Sequence, residues 1–143
     1  MNRRAIMAQL NDDVRRAVLT EMRQADQLAA LAGRDTQETR DDLERWTSEG
    51  RMLSVQHEGV AYFALFALNP ADLYPPYLAV ADAVRILSEV LDRERNSWGI
   101  ASWFLGVKSF LDDQRPADLL GSDPEWVTEA AQDEVDSWKY PHG

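Results

Sequence analysis

The stretch Ser97-Trp98-Gly99-Ile100-Ala101-Ser102-Trp103-Phe104-Leu105-Gly106-Val107 decides the fold of this chain of 143 residues. Nearly every side chain in it is apolar, so a helix formed here has almost no polar face. A helix that is hydrophobic all round is stable only when other elements surround it. We therefore predict a central buried helix over residues 98–107, capped by Ser97, around which the neighbouring helices assemble.

Helices are predicted on both sides of this central segment. Upstream, apolar and charged residues separate onto two faces at helical spacing, which is typical of an amphipathic surface helix. The inner face holds Tyr77, Val80, Ala81, Val84, Leu87 and Leu91, and the outer face holds Asp82, Arg85, Glu89 and Asp92. Downstream, Pro116 opens a short helix that ends at Leu120.

The last helix is predicted to begin near Pro124. Ser122-Asp123-Pro124-Glu125 combines a cap, a proline at the first helical position and a glutamate three residues after the cap. The predicted inner face holds Val127, Ala130, Ala131, Val135 and Trp138, and the exposed residues include Glu125, Glu129, Asp133 and Asp136.

The first half of the chain has the pattern of a helix-turn-helix followed by a hairpin. Apolar residues recur at helical spacing over residues 11–31, which predicts one or two helices, and Gly33 is placed to end them. Asp35 and Glu38 have the spacing of a capping box for a further helix that runs to about Glu49, with Leu43 and Trp46 facing inward. An alternating strand over residues 51–56, a turn at residues 57–59 and an apolar strand over residues 60–66 predict a β-hairpin.

These patterns together predict a mainly α fold, a helical bundle with one β-hairpin. Residues 1–68 form the winged helix-turn-helix-like part and residues 69–143 form a helical domain, and we expect the two to pack as one compact unit. Prolines at Asn69-Pro70 and Pro75-Pro76 bracket the loop that joins them, because proline withholds a backbone donor.

Composition favours a binding protein of the cytoplasm. The chain has no cysteine, and we see no signal-peptide pattern and no apolar run near the ~20 residues of a membrane-spanning helix. The formal charge of −10 divides into −2 over residues 1–60 and −8 over residues 61–143. This acidity serves either plain solubility or attraction of a basic partner.

The residues near the start of the second helix of the helix-turn-helix are candidates for DNA contacts. They are Thr36, Gln37, Thr39 and Arg40, and Arg45, further along the helix, is a candidate to assist them. Acidic residues share the same stretch and repel phosphate, so the alternative is a module that serves only for packing.

No enzymatic chemistry is predicted. His57 and His142 are far apart in sequence, and the chain has no glycine-rich phosphate loop and no nucleophile elbow. The neighbouring carboxylates Asp112-Asp113 and Asp133-Glu134 point to different sides of a helix and favour a solvated acidic face. We therefore expect no catalytic residue, no metal site and no cofactor.

Two of the five tryptophans, Trp126 and Trp138, are predicted on different sides of the last helix. At least one is then solvent-facing or held in an interface with a partner, unless both fold back on the core.

Several motifs, in order, resemble the toxin-binding domain of the MbcA/ParS/Xre antitoxins. Trp98-Gly99-Ile100-Ala101-Ser102-Trp103-Phe104 is similar to the W-x-x-A-x-W-[LF] of that family, and Pro116-Ala117-Asp118-Leu119-Leu120 to its P-x-x-L-L. Asp112 or Asp113 stands where the family has glycine. Upstream, Glu49-Gly50-Arg51-Met52-Leu53 and Tyr62-Phe63-Ala64-Leu65-Phe66 resemble its GRLL-type and aromatic strands. The resemblance covers about residues 43–131.

The resemblance implies a small homodimeric antitoxin that binds a RES-domain toxin acting on NAD and occludes its active site with the C-terminal region. Its DNA-binding part is implied to autoregulate the operon. On this hypothesis the toxin-binding residues are Trp126, Glu129, Asp133, Glu134 and Trp138. The alternative function is a stand-alone DNA-binding transcriptional regulator that uses residues 24–60.

Overall fold

The computed structural model describes residues 3–92 and 96–140, and it confirms a mainly α fold with a small antiparallel sheet. The elements in chain order are α1 (Arg3–Thr20), β1 (Met22–Arg23), α2 (Ala25–Ala32), α3 (Thr36–Ser48), β2 (Ser54–His57), β3 (Val60–Ala64), α4 (Leu78–Leu87), α5 (Ser97–Leu105), α6 (Pro116–Leu119) and α7 (Pro124–Lys139). Short 3₁₀ turns occupy Leu65–Ala67 and Ser109–Leu111. No helix in the described ranges has the length and apolarity needed to cross a bilayer.

The helix-turn-helix is formed as the local signals predict. Gly33 ends α2 in the left-handed conformation, with φ of 67°, which glycine adopts at little cost. Asp35 begins α3 by accepting a hydrogen bond from the backbone N–H of Glu38 at 2.9 Å. Leu43 and Trp46 are buried as predicted.

The predicted hairpin is confirmed, and it belongs to a three-stranded sheet of order β1-β3-β2. Its turn has two residues, Glu58 and Gly59, both with positive φ, which suits the right-handed twist of the strands. The strands are shorter than predicted, because residues 51–53 precede β2 and β3 gives way to a 3₁₀ turn after Ala64. Helix, strand, helix, helix and hairpin follow one another in the first half of the chain.

The second half differs from the predicted helix boundaries at several points. Helix α4 ends at Leu87, so Leu91 and Asp92 lie beyond it, and its buried face also includes Ala79, Ala83 and Ile86. Asn96 takes the N-cap position of α5, with Ser97 as the first helical residue. Asp123 takes the N-cap position of α7, with Pro124 first in the helix as predicted.

Helix α5 lies in the core on one side only. Phe104 and Ala101 are fully buried, and Ile100 and Trp103 nearly so, while Trp98 and Leu105 are partly buried. The helix ends at Leu105, and Val107 is 64% exposed, so the predicted extension of the buried helix to residue 107 is wrong. A single apolar core joins the two halves of the chain, since it contains residues from α2 and α3 together with residues from α4, α5 and α7.

Helix α7 packs along α4, and small side chains form its inner face. Val127, Ala130, Ala131 and Val135 are buried as predicted. Trp138 was predicted on the same face, but it is 56% exposed because α7 continues past the end of the core. The inner face therefore fixes α7 on the core, and Lys139 in its last turn pairs with Glu89, just beyond the end of α4.

Candidate partner-binding surface

The outer face of α7 carries carboxylates that the fold leaves exposed. Glu129 and Asp133 lie one turn apart on this face, and Asp136 follows after a further turn. Within the described residues, the carboxylate of neither Glu129 nor Asp133 makes a hydrogen bond or an ion pair. Their charges are therefore available to a partner.

Glu134 is held within the protein by two tryptophans. Its Oε1 accepts the indole N–H of Trp103 at 3.2 Å, and its Oε2 accepts that of Trp138 at 2.8 Å. Trp103 is only 6% exposed, so this carboxylate satisfies a donor at the edge of the core. Glu134 therefore has a structural role that the sequence alone did not predict.

The two tryptophans of α7 are in different environments. Trp126 packs partly buried against the core, whereas Trp138 stays largely exposed and is oriented by its bond to Glu134. Twelve residues of helix separate them by roughly 18 Å along the axis. Of the five predicted toxin-binding residues, Glu134 is engaged within the protein. The other four form an acidic centre, Glu129 and Asp133, with one aromatic residue near each end of the helix.

A hollow beside α7 adds residues that were not predicted as a site. It has a volume of about 240 Å³ and is lined on α7 by Ala130, Asp133 and Glu134. The other wall is Trp103 together with the turn after α5, which contributes Val107, Lys108, Ser109 and Phe110. Val107 is 64% and Phe110 is 39% exposed, so apolar surface and carboxylates meet here. The exposure of these side chains depends on where α5 ends, which the apolar run in the sequence conceals.

Lys108 is the cation of this hollow, and it faces inward. Its Nζ lies 5.3 Å from the centre of the Trp103 ring, which is a cation–π distance. Burial lowers the pKa of Lys108, and the nearby carboxylate of Glu134 opposes that shift. Lys108 is therefore associated with Trp103 and Glu134, and Asp133 remains the outward-facing charge.

The predicted DNA contacts on α3 do not share one face. Thr36, Gln37, Arg40 and Arg45 are exposed. Thr39 is buried, and its hydroxyl donates to the backbone oxygen of Asp35 at 2.7 Å, so it cannot face DNA. The prediction that Thr39 contacts DNA is therefore wrong.

Intramolecular contacts engage most of the polar groups on α3. Arg45 pairs with Asp42 at 2.9 Å, and the Gln37 side-chain amide donates to Asp41 at 2.9 Å. In the described part of the chain, Arg40 makes no such contact. It is therefore the cation of α3 most available to a phosphate.

Tyr74, from the loop that joins the two halves, contacts the helix-turn-helix directly. Its hydroxyl donates to Asp42 Oδ2 at 2.7 Å, and its ring packs edge-on against Trp46 with 4.9 Å between ring centres. The Arg34 guanidinium lies 3.8 Å above the same ring. The hydrogen bond to Asp42, and to a lesser degree burial, raises the pKa of Tyr74. The loop therefore holds the turn before α3 in place.

The described residues contain no cluster of three or more His, Asp or Glu side chains that could hold a metal ion. His57 lies at the end of β2, with its ring 6.4 Å from that of Trp98, and His142 is outside the described residues. A larger open groove of about 860 Å³ runs between the end of α3 and the outer side of α4, and its charged lining residues are Glu49, Asp82, Arg85, Glu89 and Asp92.

Comparisons with models of protein families, with curated proteins and with solved structures find no match to this chain.

Proposed function

We propose that this chain is an antitoxin-like protein that binds and neutralises a RES-type toxin through the outer surface of α7. The observation that carries the proposal is the acidic face of this helix, where Glu129 and Asp133 are exposed and unpaired within the described residues. The buried Ala and Val side chains of α7 fix this helix on the core. A partner that binds the carboxylates and Trp138 therefore loses little free energy to ordering the helix.

The chemistry of the proposed target matches this surface. An enzyme that acts on NAD must bind a pyrophosphate, and cationic side chains and helix N-termini do so. A rigid acidic helix with an exposed tryptophan can compete for the same cations and supply an aromatic anchor. The resemblance of residues 43–131 to the antitoxin family supports this partner, together with a homodimer in the cytoplasm.

Co-expression with the product of the neighbouring RES-type reading frame tests the proposal. We expect this chain to restore growth of cells that produce the toxin and to co-purify with it. Glu129→Lys reverses a charge on α7 and should weaken the complex about tenfold, whereas Glu44→Lys, an equivalent change on α3, should leave it unchanged. The absence of such a reading frame, or growth arrest and free toxin despite co-expression, would contradict the proposal.

A second candidate function is DNA binding, which the winged helix-turn-helix order of the elements favours. In an autoregulated operon the same protein would bind its own promoter through α3. Arg40 is the residue on which this activity would depend, so Arg40→Ala should weaken promoter binding and reduce its salt dependence by about one phosphate contact. Equal binding by the wild type and this variant would exclude the α3 surface.

A further inference from the structure

The turn between α5 and α6 carries apolar side chains that the rest of the described protein leaves partly uncovered. Val107 and Phe110 lie on either side of Lys108, with 64% and 39% of their surfaces exposed. The turn itself is well fixed, since the backbone N–H of Lys108 donates to the Gln114 oxygen at 3.0 Å and that of Asp113 donates to the Lys108 oxygen at 2.9 Å. A fixed loop that presents apolar surface is a common feature of interaction sites.

These two side chains lie across the hollow from Asp133. Its neighbour Glu134 is engaged by the indoles of Trp103 and Trp138, and Lys108 lies over the Trp103 ring. Asp133 is thus the carboxylate lining the hollow that has no partner among the described residues. Asp112 and Asp113, in the same turn as Phe110, add negative charge to this side of the protein.

We infer that the hollow between Val107, Phe110 and Asp133 is the recognition pocket for the toxin, and that it receives an apolar side chain flanked by an arginine. The inference rests on the proposed function and specifies where and by what chemistry the partner is selected. The apolar side chain covers Val107 and Phe110, and the arginine pairs with the exposed carboxylate of Asp133, which can accept two parallel hydrogen bonds from a guanidinium. Charge complementarity favours a basic toxin segment, since residues 61–143 have a formal charge of −8.

Affinity measurements with the full-length chain and a catalytically inactive form of the neighbouring RES-type toxin test this pocket. Val107→Ser removes apolar surface and Asp133→Asn removes the charge, and both positions are exposed, so the fold should be kept. We expect each change to weaken binding about tenfold. We also expect Asp133→Asn to reduce the dependence of the dissociation constant on salt.

Two matched variants control for general effects. Leu78→Ser removes an apolar side chain that is 76% exposed at the start of α4, and Asp82→Asn neutralises an exposed carboxylate on the same helix. Both should bind the toxin within twofold of the wild type. If the wild type binds and the Val107 and Asp133 variants bind equally well, the pocket is refuted while the antitoxin function stands. If the wild type itself does not bind, the proposed function fails, and the pocket with it.

Discussion

Replacing Glu134 by methionine should destabilise the protein by about 2 kcal/mol, because one carboxylate serves two tryptophans. The indole N–H of Trp103 would lose its acceptor at a position only 6% exposed, which costs about 1–3 kcal/mol. Trp138 is 56% exposed, so its N–H would bond to water instead and add little. The half-buried ammonium of Lys108 would also lose the carboxylate that offsets its burial.

Urea unfolding, followed by tryptophan fluorescence and by circular dichroism, measures this change. For a chain of this size, 2 kcal/mol corresponds to a decrease in Tm of roughly 6 °C. Glu134→Gln keeps an oxygen that accepts one indole N–H and should lose about half as much, while Asp133→Asn, at the neighbouring exposed position, should stay within about 0.5 kcal/mol. A methionine variant as stable as the wild type would refute the structural role of Glu134, as would an equal loss from Asp133→Asn.

Three further predictions concern other contacts. Asp113 has a φ of 61°, so Asp113→Gly should raise stability by roughly 0.5 kcal/mol in thermal unfolding, and a decrease would contradict the strain. Arg115 donates to both carboxylate oxygens of Asp118, at 2.9 and 2.7 Å, and this bonding lowers the pKa of Asp118. Arg115→Met removes this pair together with a hydrogen bond to Glu21 at 2.9 Å, so it should cost about 1 kcal/mol at neutral pH. The part of the loss that comes from Asp118 should disappear as pH falls below about 4 and Asp118 is protonated, whereas a constant difference from pH 7 to pH 2 would contradict the linkage. Tyr74→Phe removes the bond to Asp42 and keeps the ring contacts, so urea unfolding should show a loss of about 1 kcal/mol, and no loss would show that the bond is unimportant.

The sequence predicted those parts of the fold that depend on local signals. Gly33, Asp35 and Pro124 mark helix ends through their own backbone and capping preferences, and the structure has helix ends at these points. Strand β1 has two residues and pairs with Ala64 and Phe63, far away in the chain, so no local pattern indicates it. Helix α5 was predicted two residues too long, because apolar residues continue into the turn after Leu105.

The candidate surface was predicted less completely, because contacts between residues far apart in the sequence leave no local pattern. Charge and helical period placed Glu129 and Asp133 outward, and both are exposed. The carboxylate of Glu134 bonds to Trp103, 31 residues earlier, and only the packing of α7 beside α5 brings the two together. Asp112 and Asp113, one of which stands where the resemblance predicts a glycine, both have a positive φ, a conformation that glycine adopts at little cost.

The charged groups that remain unpaired on α3 and α7 allow DNA and a basic protein to be compared as partners. On α3, Arg45 is paired with Asp42, and in the turn before it Arg34 is stacked on Tyr74. DNA affinity would therefore depend largely on Arg40, in a helix rich in carboxylates. One available cation neutralises about one phosphate, which gives weak and nearly salt-independent binding. On α7 the exposed carboxylates at positions 129 and 133 are unpaired within the described residues, and Asp133 lies beside the exposed side chains of Val107 and Phe110. We therefore expect a basic protein to bind this chain more tightly than a nucleic acid does, and we expect promoter binding to require a dimer that presents two copies of α3.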